Sequence, residues 1–307
     1  MLSTERSFEV LEDDAGQRLD RFLTARITSL GRNLAGHLCK DGKVRVDGRR
    51  QRKSFLVQAG MLVTLLDSGL GDAQALVDLD LNIVYEDERI VVVDKRAGVP
   101  CAALPGREGD TLAGALLARF SEMSGVGFNA REPGLVHRLD TQTSGLVLAA
   151  KDQEAFDDLR AALSRGLVEK RYLAIVPAGV LPSEGTVELP LEHDTRDRRK
   201  VRVSAAAGAR PRSTRFLVLE ERGAFALVEA SATSAFRHQI RVHLASQGAP
   251  LVGDVLYGGI PHGAPRHALH ASYIAGAGEK VARFLAVSPL PDDLRLWFET
   301  ASLFRAP

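Results

Sequence analysis

Between residues 17 and 27 the apolar side chains Leu19, Phe22, Leu23 and Ile27 recur three and four apart, which puts them on one face of a helix. A second helix is expected over 32–40, with Leu34 and Leu38 inward and Asp41-Gly42 as its stop. The period then shortens to two. Val44 and Val46 alternate with Arg45 and Asp47, and Asp47-Gly48 is a hairpin-turn pair. Leu62, Val63 and Leu65 close the pattern as a strand, giving a small α/β module over residues 1–66.

Residues 67–80 are small, polar and glycine-bearing and read as a linker. Beyond it the short apolar runs 83–85, 90–93 and 145–149, bounded by polar residues or glycine, read as strands. Residues 154–163 read as a helix with Phe156, Leu159 and Leu163 on one face. Strands are expected at 171–176, 216–219 and 224–230, and a helix over 236–245 that stacks Ile240 on Leu244. Many strands with scattered helices predict an α+β fold with a mixed, largely antiparallel sheet over residues 81–303.

Length and composition fit this picture. The chain has 307 residues, enough for about two domains. Hydrophobic residues at 45% and charged residues at 26% are the balance of a soluble globular protein. No apolar run approaches the roughly 18 residues of a membrane span, and the start of the chain lacks a secretory pattern, so a cytoplasmic protein without a membrane partner is expected. Cys39 and Cys101 form no disulfide framework and are expected to pack as small buried hydrophobes. No Cys/His cluster has metal-ligand spacing, so no metal is expected.

Net charge is only +1, but it is unevenly spread. From residue 40 to 53 stand Lys40, Lys43, Arg45, Arg49, Arg50, Arg52 and Lys53 against Asp41 and Asp47, a local excess of five positive charges. Such a patch suits phosphate contacts. On charge alone it equally suits a solvated hairpin whose cations guard an edge strand.

The densest chemistry lies at 134–145, Gly-Leu-Val-His-Arg-Leu-Asp-Thr-Gln-Thr-Ser-Gly. It sets a carboxylate, a guanidinium and several hydroxyls in a turn between apolar strands. A carboxylate beside a cation is kept ionised and can act as a nucleophile. The same residues also fit a turn in which Asp140 merely accepts backbone N–H bonds, and residue chemistry favours that reading.

Two resemblances change the balance. Arg18-Leu19-Asp20-Arg21-Phe22-Leu23, 42–48 and Gly60-Met61-Leu62-Val63 together resemble the alpha-L RNA-binding domain of ribosomal-protein type. That implies RNA contacts by Arg21, Arg32, Lys40, Arg45, Arg49, Arg50 and Lys53. His137-Arg138-Leu139-Asp140 with Thr143-Ser144-Gly145 resembles the signature loop of RluA-family pseudouridine synthases. Lys170-Arg171-Tyr172-Leu173-Ala174, then 238–244 with 252–258, resemble the family's further blocks in the same order, and 268–271 a weaker one.

The resemblance implies a cofactor-independent isomerase of uridines in RNA, expected to be monomeric and cytoplasmic. Large-subunit ribosomal RNA is the expected substrate and transfer RNA the alternative. Asp140, Tyr172 and Arg241 form the implied catalytic set. Asp140 is the essential carboxylate, and the resemblance leaves open whether it attacks ribose, attacks the uracil or assists proton removal. Tyr172 lies against the base, and Arg241 pairs with Asp140. Arg138 fills the space left by the unstacked nucleotide, Leu269 walls the uracil, and Phe236, Arg237 and His238 bind substrate.

Two positions depart from the pattern. Lys95-Arg96-Ala97-Gly98 lacks the family's usual proline, and Ala235-Phe236 replaces a glycine followed by a basic residue or methionine, which puts substrate grip there in doubt. The arginine-rich segment 196–215 is expected to be a loop closing on phosphates. A catalytically silent RNA-binding protein is the second reading. A glycosidic hydrolase is the third, and it would need a second carboxylate, which does not stand out in these blocks.

Overall fold

The computed structural model describes residues 6–27, 32–40, 42–66, 79–102, 110–129, 131–206, 208–232 and 236–301, without the side chains of 32–34, 37 and 301. The linker expected at 67–80 falls mostly outside these residues. The backbone groups into two compact units, Met1–Asp80 with Cys101–Leu135, and Leu81–Pro100 with Val136–Pro307.

In the first unit, the helical stripe forms α1 (Leu19–Arg26) and the second helix is α2 (Arg32–Lys40). The first helix starts two residues later than its pattern because Arg18 is extended and bridges to Leu56. The strands β1 (Arg6–Glu9), β2 (Val44–Val46), β3 (Arg49–Arg50) and β4 (Leu62–Leu65) form an antiparallel sheet in the order β1-β4-β2-β3. Asp47 and Gly48 both take positive φ, 48° and 75°, the geometry a tight two-residue hairpin requires. Leu19, Phe22, Leu23, Leu38, Val44, Val46 and Val63 make the core, with Cys39 buried among them. Residues 101–135 contribute α3 (Leu112–Arg119), which the sequence pattern did not bring out. Its N-terminus is capped by Thr111, whose Oγ1 accepts from the Gly114 N–H.

The described residues of the second unit form a ten-stranded sheet. Its strands are β5 (Ile83–Glu86), β6 (Ile90–Lys95), β7 (Ser144–Ala150), β8 (Val168–Pro177), β9 (Glu184–His193), β10 (Val201–Val203), β11 (Pro211–Arg222), β12 (Phe225–Ser231), β13 (Leu269–Gly276) and β14 (Phe284–Val287). The order is β10-β9-β11-β12-β8-β13-β7-β6-β5, with β14 on the far half of β13. Every pairing is antiparallel except β7 with β13, so the expected mixed, largely antiparallel α+β fold is what forms.

Helix α4 (Gln153–Ser164) is capped by Asp152 and buries Phe156, Leu159 and Ala162. Helices α5 (Gln239–Ser246) and α6 (Asp292–Ala301) complete the unit. Alternation along β8 serves two cores. Ala174 and Val176 pack with Ile240 and Leu244 of α5, whereas Ile175 packs with Leu294 and Phe298 of α6.

Two expectations need correction. The helix expected from Phe236 begins at Gln239, because the Gln239 side chain takes the Phe236 N–H and His238 sits at φ 56°. The arginine-rich segment 196–215, expected as a loop, is partly strand: β10 and the start of β11 lie within it, each paired with β9. Thr214 and Phe216 point inward there while Arg215 is exposed.

Candidate active site

The middle of the sheet sets out the site. Cross-strand register aligns Lys95, Gly145, Ala271, Tyr172 and Ala230 in one row across β6, β7, β13, β8 and β12. Gly145 has φ +111°, and a Cβ there would stand 2.3 Å from the Ala271 carbonyl oxygen. Glycine is therefore required where the parallel strands meet, and the segment ending at that junction carries Asp140.

This segment is pinned from several sides. His137 Nε2 accepts the Leu148 N–H, and burial with Lys170 and Arg160 nearby pushes the ring down to about 3, so it stays neutral. The Asp140 carbonyl accepts the Thr143 N–H, closing a turn. The hydroxyls of Thr143 and Ser144 meet His267 Nε2 at 2.8 Å and His270 Nδ1 at 2.9 Å. Arg266 donates to the Gln142 carbonyl and the Ser144 hydroxyl and pairs with Asp293. The buried Lys95 ammonium donates to the carbonyls of Arg96, Val99 and Thr141, and the Gly98 N–H to Thr141. The turn therefore closes without the family's proline.

Arg241 projects from α5 and is 6% exposed. Its Nε and Nη2 donate to the two oxygens of Asp254 at 2.7 and 2.8 Å, while Nη1 donates to Asp140 Oδ2 at 2.7 Å. The expected Asp140–Arg241 pair is thus present. Asp254, to which the sequence assigned no role within the 252–258 block, is the carboxylate that offsets the buried guanidinium. It is 2% exposed and engaged by Arg241 through both oxygens, so it does not serve as the free second carboxylate of a hydrolase.

Tyr172 joins the cluster that contains Leu269, Ala174 and Ile240. Its hydroxyl is held protonated by burial, with the Asp140 charge adding to the effect. Leu269 is 5% exposed at the start of β13, in that apolar wall. Arg138 is exposed, two residues before Asp140.

His238 lies with Nε2 3.4 Å from Asp140 Oδ2 and Nδ1 2.7 Å from the Tyr257 hydroxyl. Burial pushes it down to about 4, with Arg241 and Arg237 assisting and Asp140 opposing. Arg237 is exposed but spends its two terminal nitrogens on the carbonyls of Arg198 and Arg199. Phe236 packs against the His193 ring and under the Arg212 guanidinium. Its neighbour Ala235 lies outside the described residues.

In the first unit, Arg21, Lys40, Arg49, Arg50 and Lys53 are exposed and Arg45 is half-buried on β2. The side chain of Arg32 lies outside the described residues. Gly42 has φ +71° at the end of α2, and its missing Cβ leaves room for the Arg50 guanidinium. Among the described residues no group of three or more His, Cys, Asp or Glu is arranged to hold a metal, and no helix is long and apolar enough to cross a membrane.

Residues 89–246 match the RNA pseudouridylate synthase family, and residues 17–63 match the S4 domain. The ribosomal large subunit pseudouridine synthase D of Pseudomonas aeruginosa is 35% identical, over 95% of this chain and 94% of that one. An uncharacterized RNA pseudouridine synthase of Bacillus subtilis, YlyB, is 32% identical over 92% of this chain and 93% of its own. The solved human RNA pseudouridylate synthase domain containing 1 shares the fold, with a TM-score of 0.55 at 24% identity over 74% of this chain and 97% of that one.

Proposed function

Because the chain belongs to the RNA pseudouridylate synthase family and is therefore an RNA-modifying isomerase, we propose that it converts specific uridines of large-subunit ribosomal RNA to pseudouridine, with Asp140 as catalytic carboxylate and no cofactor. The observation that carries this reading is the buried Arg241, forked onto Asp254 and bonded to Asp140 at 2.7 Å beside the Tyr172 cluster. An arginine committed in this way fixes one carboxylate in a preset orientation.

The reaction balances within the substrate. The N1–C1′ bond breaks, the uracil turns, and C5 bonds to C1′. The C5 proton is then lost and N1 gains one. Asp140 serves the glycosidic exchange, Tyr172 stacks against the base, and Leu269 closes the apolar side. Arg138 fills the gap left by the unstacked nucleotide, offsetting part of an unstacking cost of a few kcal/mol. Arg237 acts through the hairpin carbonyls it holds, with Phe236 and His238 beside it on the substrate side. In the N-terminal module, Arg21, Arg32, Lys40, Arg45, Arg49, Arg50 and Lys53 supply phosphate contacts. The protein acts as a cytoplasmic monomer.

The test is to incubate the protein with unmodified ribosomal RNA and with transfer RNA, then map pseudouridine by carbodiimide labelling and primer extension. Stops in large-subunit ribosomal RNA support the reading. Stops confined to transfer RNA overturn the choice of substrate.

A further inference from the structure

Two groups meet the carboxylate of Asp140, Arg241 and His238, and only Arg241 belongs to the proposed catalytic set. The chain of contacts begins at β10. The Val201 N–H donates to the Tyr257 hydroxyl at 2.9 Å, and that hydroxyl stands 2.7 Å from His238 Nδ1. Since the Tyr257 oxygen accepts from Val201, its own proton is available to His238 Nδ1. A neutral imidazole that accepts at Nδ1 carries its hydrogen on Nε2, and Nε2 is the atom turned toward Asp140 Oδ2. Burial keeps the ring neutral and the phenol of Tyr257 protonated, which this arrangement of protons requires.

We propose that His238 is a positioning residue for the isomerisation: its Nε2–H and the Arg241 Nη1–H converge on Oδ2 of Asp140, so that Oδ1 is the oxygen presented to the uridine. The proposal rests on Asp140 being the catalytic carboxylate. Among the described residues no donor is bonded to Oδ1, whereas Oδ2 has Arg241 at 2.7 Å and His238 at 3.4 Å. The 3.4 Å contact is longer than a bond to a carboxylate, and it shortens when the uridine enters and water leaves, as active-site hydrogen bonds do. Tyr257 fixes the tautomer and joins the same chain to the arginine-bearing hairpin at Val201. His238 itself takes a positive φ of 56° immediately before α5.

The test compares tritium release from uracil-labelled RNA by wild type, His238→Ala, His238→Gln, Tyr257→Phe and Asp140→Asn, with circular dichroism on each. Loss of a hydrogen bond to a charged group predicts a fall in kcat of about ten- to a hundredfold for His238→Ala. The fall in kcat exceeds any rise in KM, because the bond to Asp140 acts on the reacting carboxylate in addition to the contact His238 makes on the substrate side. Glutamine carries an N–H near the Nε2 position and restores part of the loss, and Tyr257→Phe lowers kcat in the same direction by less. The proposal is overturned if folded His238→Ala keeps its kcat and changes only KM, or if glutamine is no better than alanine. Should His238→Ala not fold, an unchanged kcat in Tyr257→Phe overturns it equally. Activity retained by Asp140→Asn sinks the proposed function itself. An inactive Asp140→Asn beside a fully active His238→Ala sinks only the role of His238.

Discussion

Arg241 and Asp254 form a closed fork in which Nε and Nη2 of the guanidinium donate to both carboxylate oxygens, at 2.7 and 2.8 Å. The two residues are 6% and 2% exposed, and the fork leaves Nη1 as the edge that meets Asp140. A buried guanidinium is tolerated only with a carboxylate committed to it, so Asp254 allows Arg241 to face the site at all. Asp254→Ala should therefore lose about 3–5 kcal/mol of stability, the cost of stranding a buried charge, in urea unfolding. A loss below about 1 kcal/mol, as for an exposed pair, would contradict the assignment.

The junction of β7 with β13 makes a second prediction. Gly145→Ala combines a φ of +111° with a Cβ 2.3 Å from the Ala271 oxygen. Strain of that kind should cost at least about 2 kcal/mol in thermal unfolding, and it should impair activity by moving the turn that carries Asp140. A substitution neutral in both assays would mean the strands do not approach as described.

The basic hairpin predicts a salt effect. Neutralising Arg49, Arg50 and Lys53 together, all exposed, should weaken RNA binding and flatten its dependence on salt. The logarithmic slope should fall by about 0.7–0.9 for each phosphate that no longer meets a cation. Filter binding across a salt series measures this, and an unchanged slope would assign these cations to solubility alone.

Acid should weaken the fold before carboxylates titrate fully. His137, His238 and His267 are pushed by burial to about 3, 4 and 4, below the ordinary 6.5, so each is neutral in the folded chain. As pH falls from about 6.5 toward 4, the unfolded chain takes up protons that the folded chain refuses. Stability is present above that window and is lost within it, by up to about 1.4 kcal/mol per pH unit for each histidine. Urea midpoints at pH 7 and pH 5 should differ accordingly, and equal midpoints would contradict the burial of these rings.

Much of this is legible in the sequence. The stripe Leu19-Phe22-Leu23 and the pair Asp47-Gly48 specify their own local structure, so α1 and the β2–β3 hairpin follow from periodicity and turn chemistry. The pairing of Arg241 with Asp140 follows from resemblance, since 101 positions separate them and no local pattern joins them. Other features stay hidden for physical reasons. Arginines dominate 196–215 in composition and mask the alternation of Thr214 and Phe216 that makes β11 a strand. Asp254 and Tyr257 stand in a block of the resemblance, but their roles depend on partners from α5 and β10. The start of α5 shifts because one side chain, Gln239, captures the Phe236 N–H.

The central claim is that Asp140 performs the chemistry while Arg241 holds it. The most direct measurement is tritium release from ribosomal RNA labelled at uracil C5, with wild type and Asp140→Asn compared at equal folding and equal RNA affinity. Asparagine keeps the shape and an oxygen for Arg241 but removes the negative charge, so release should occur with the wild type and vanish in the variant. Equal release from both would contradict the account.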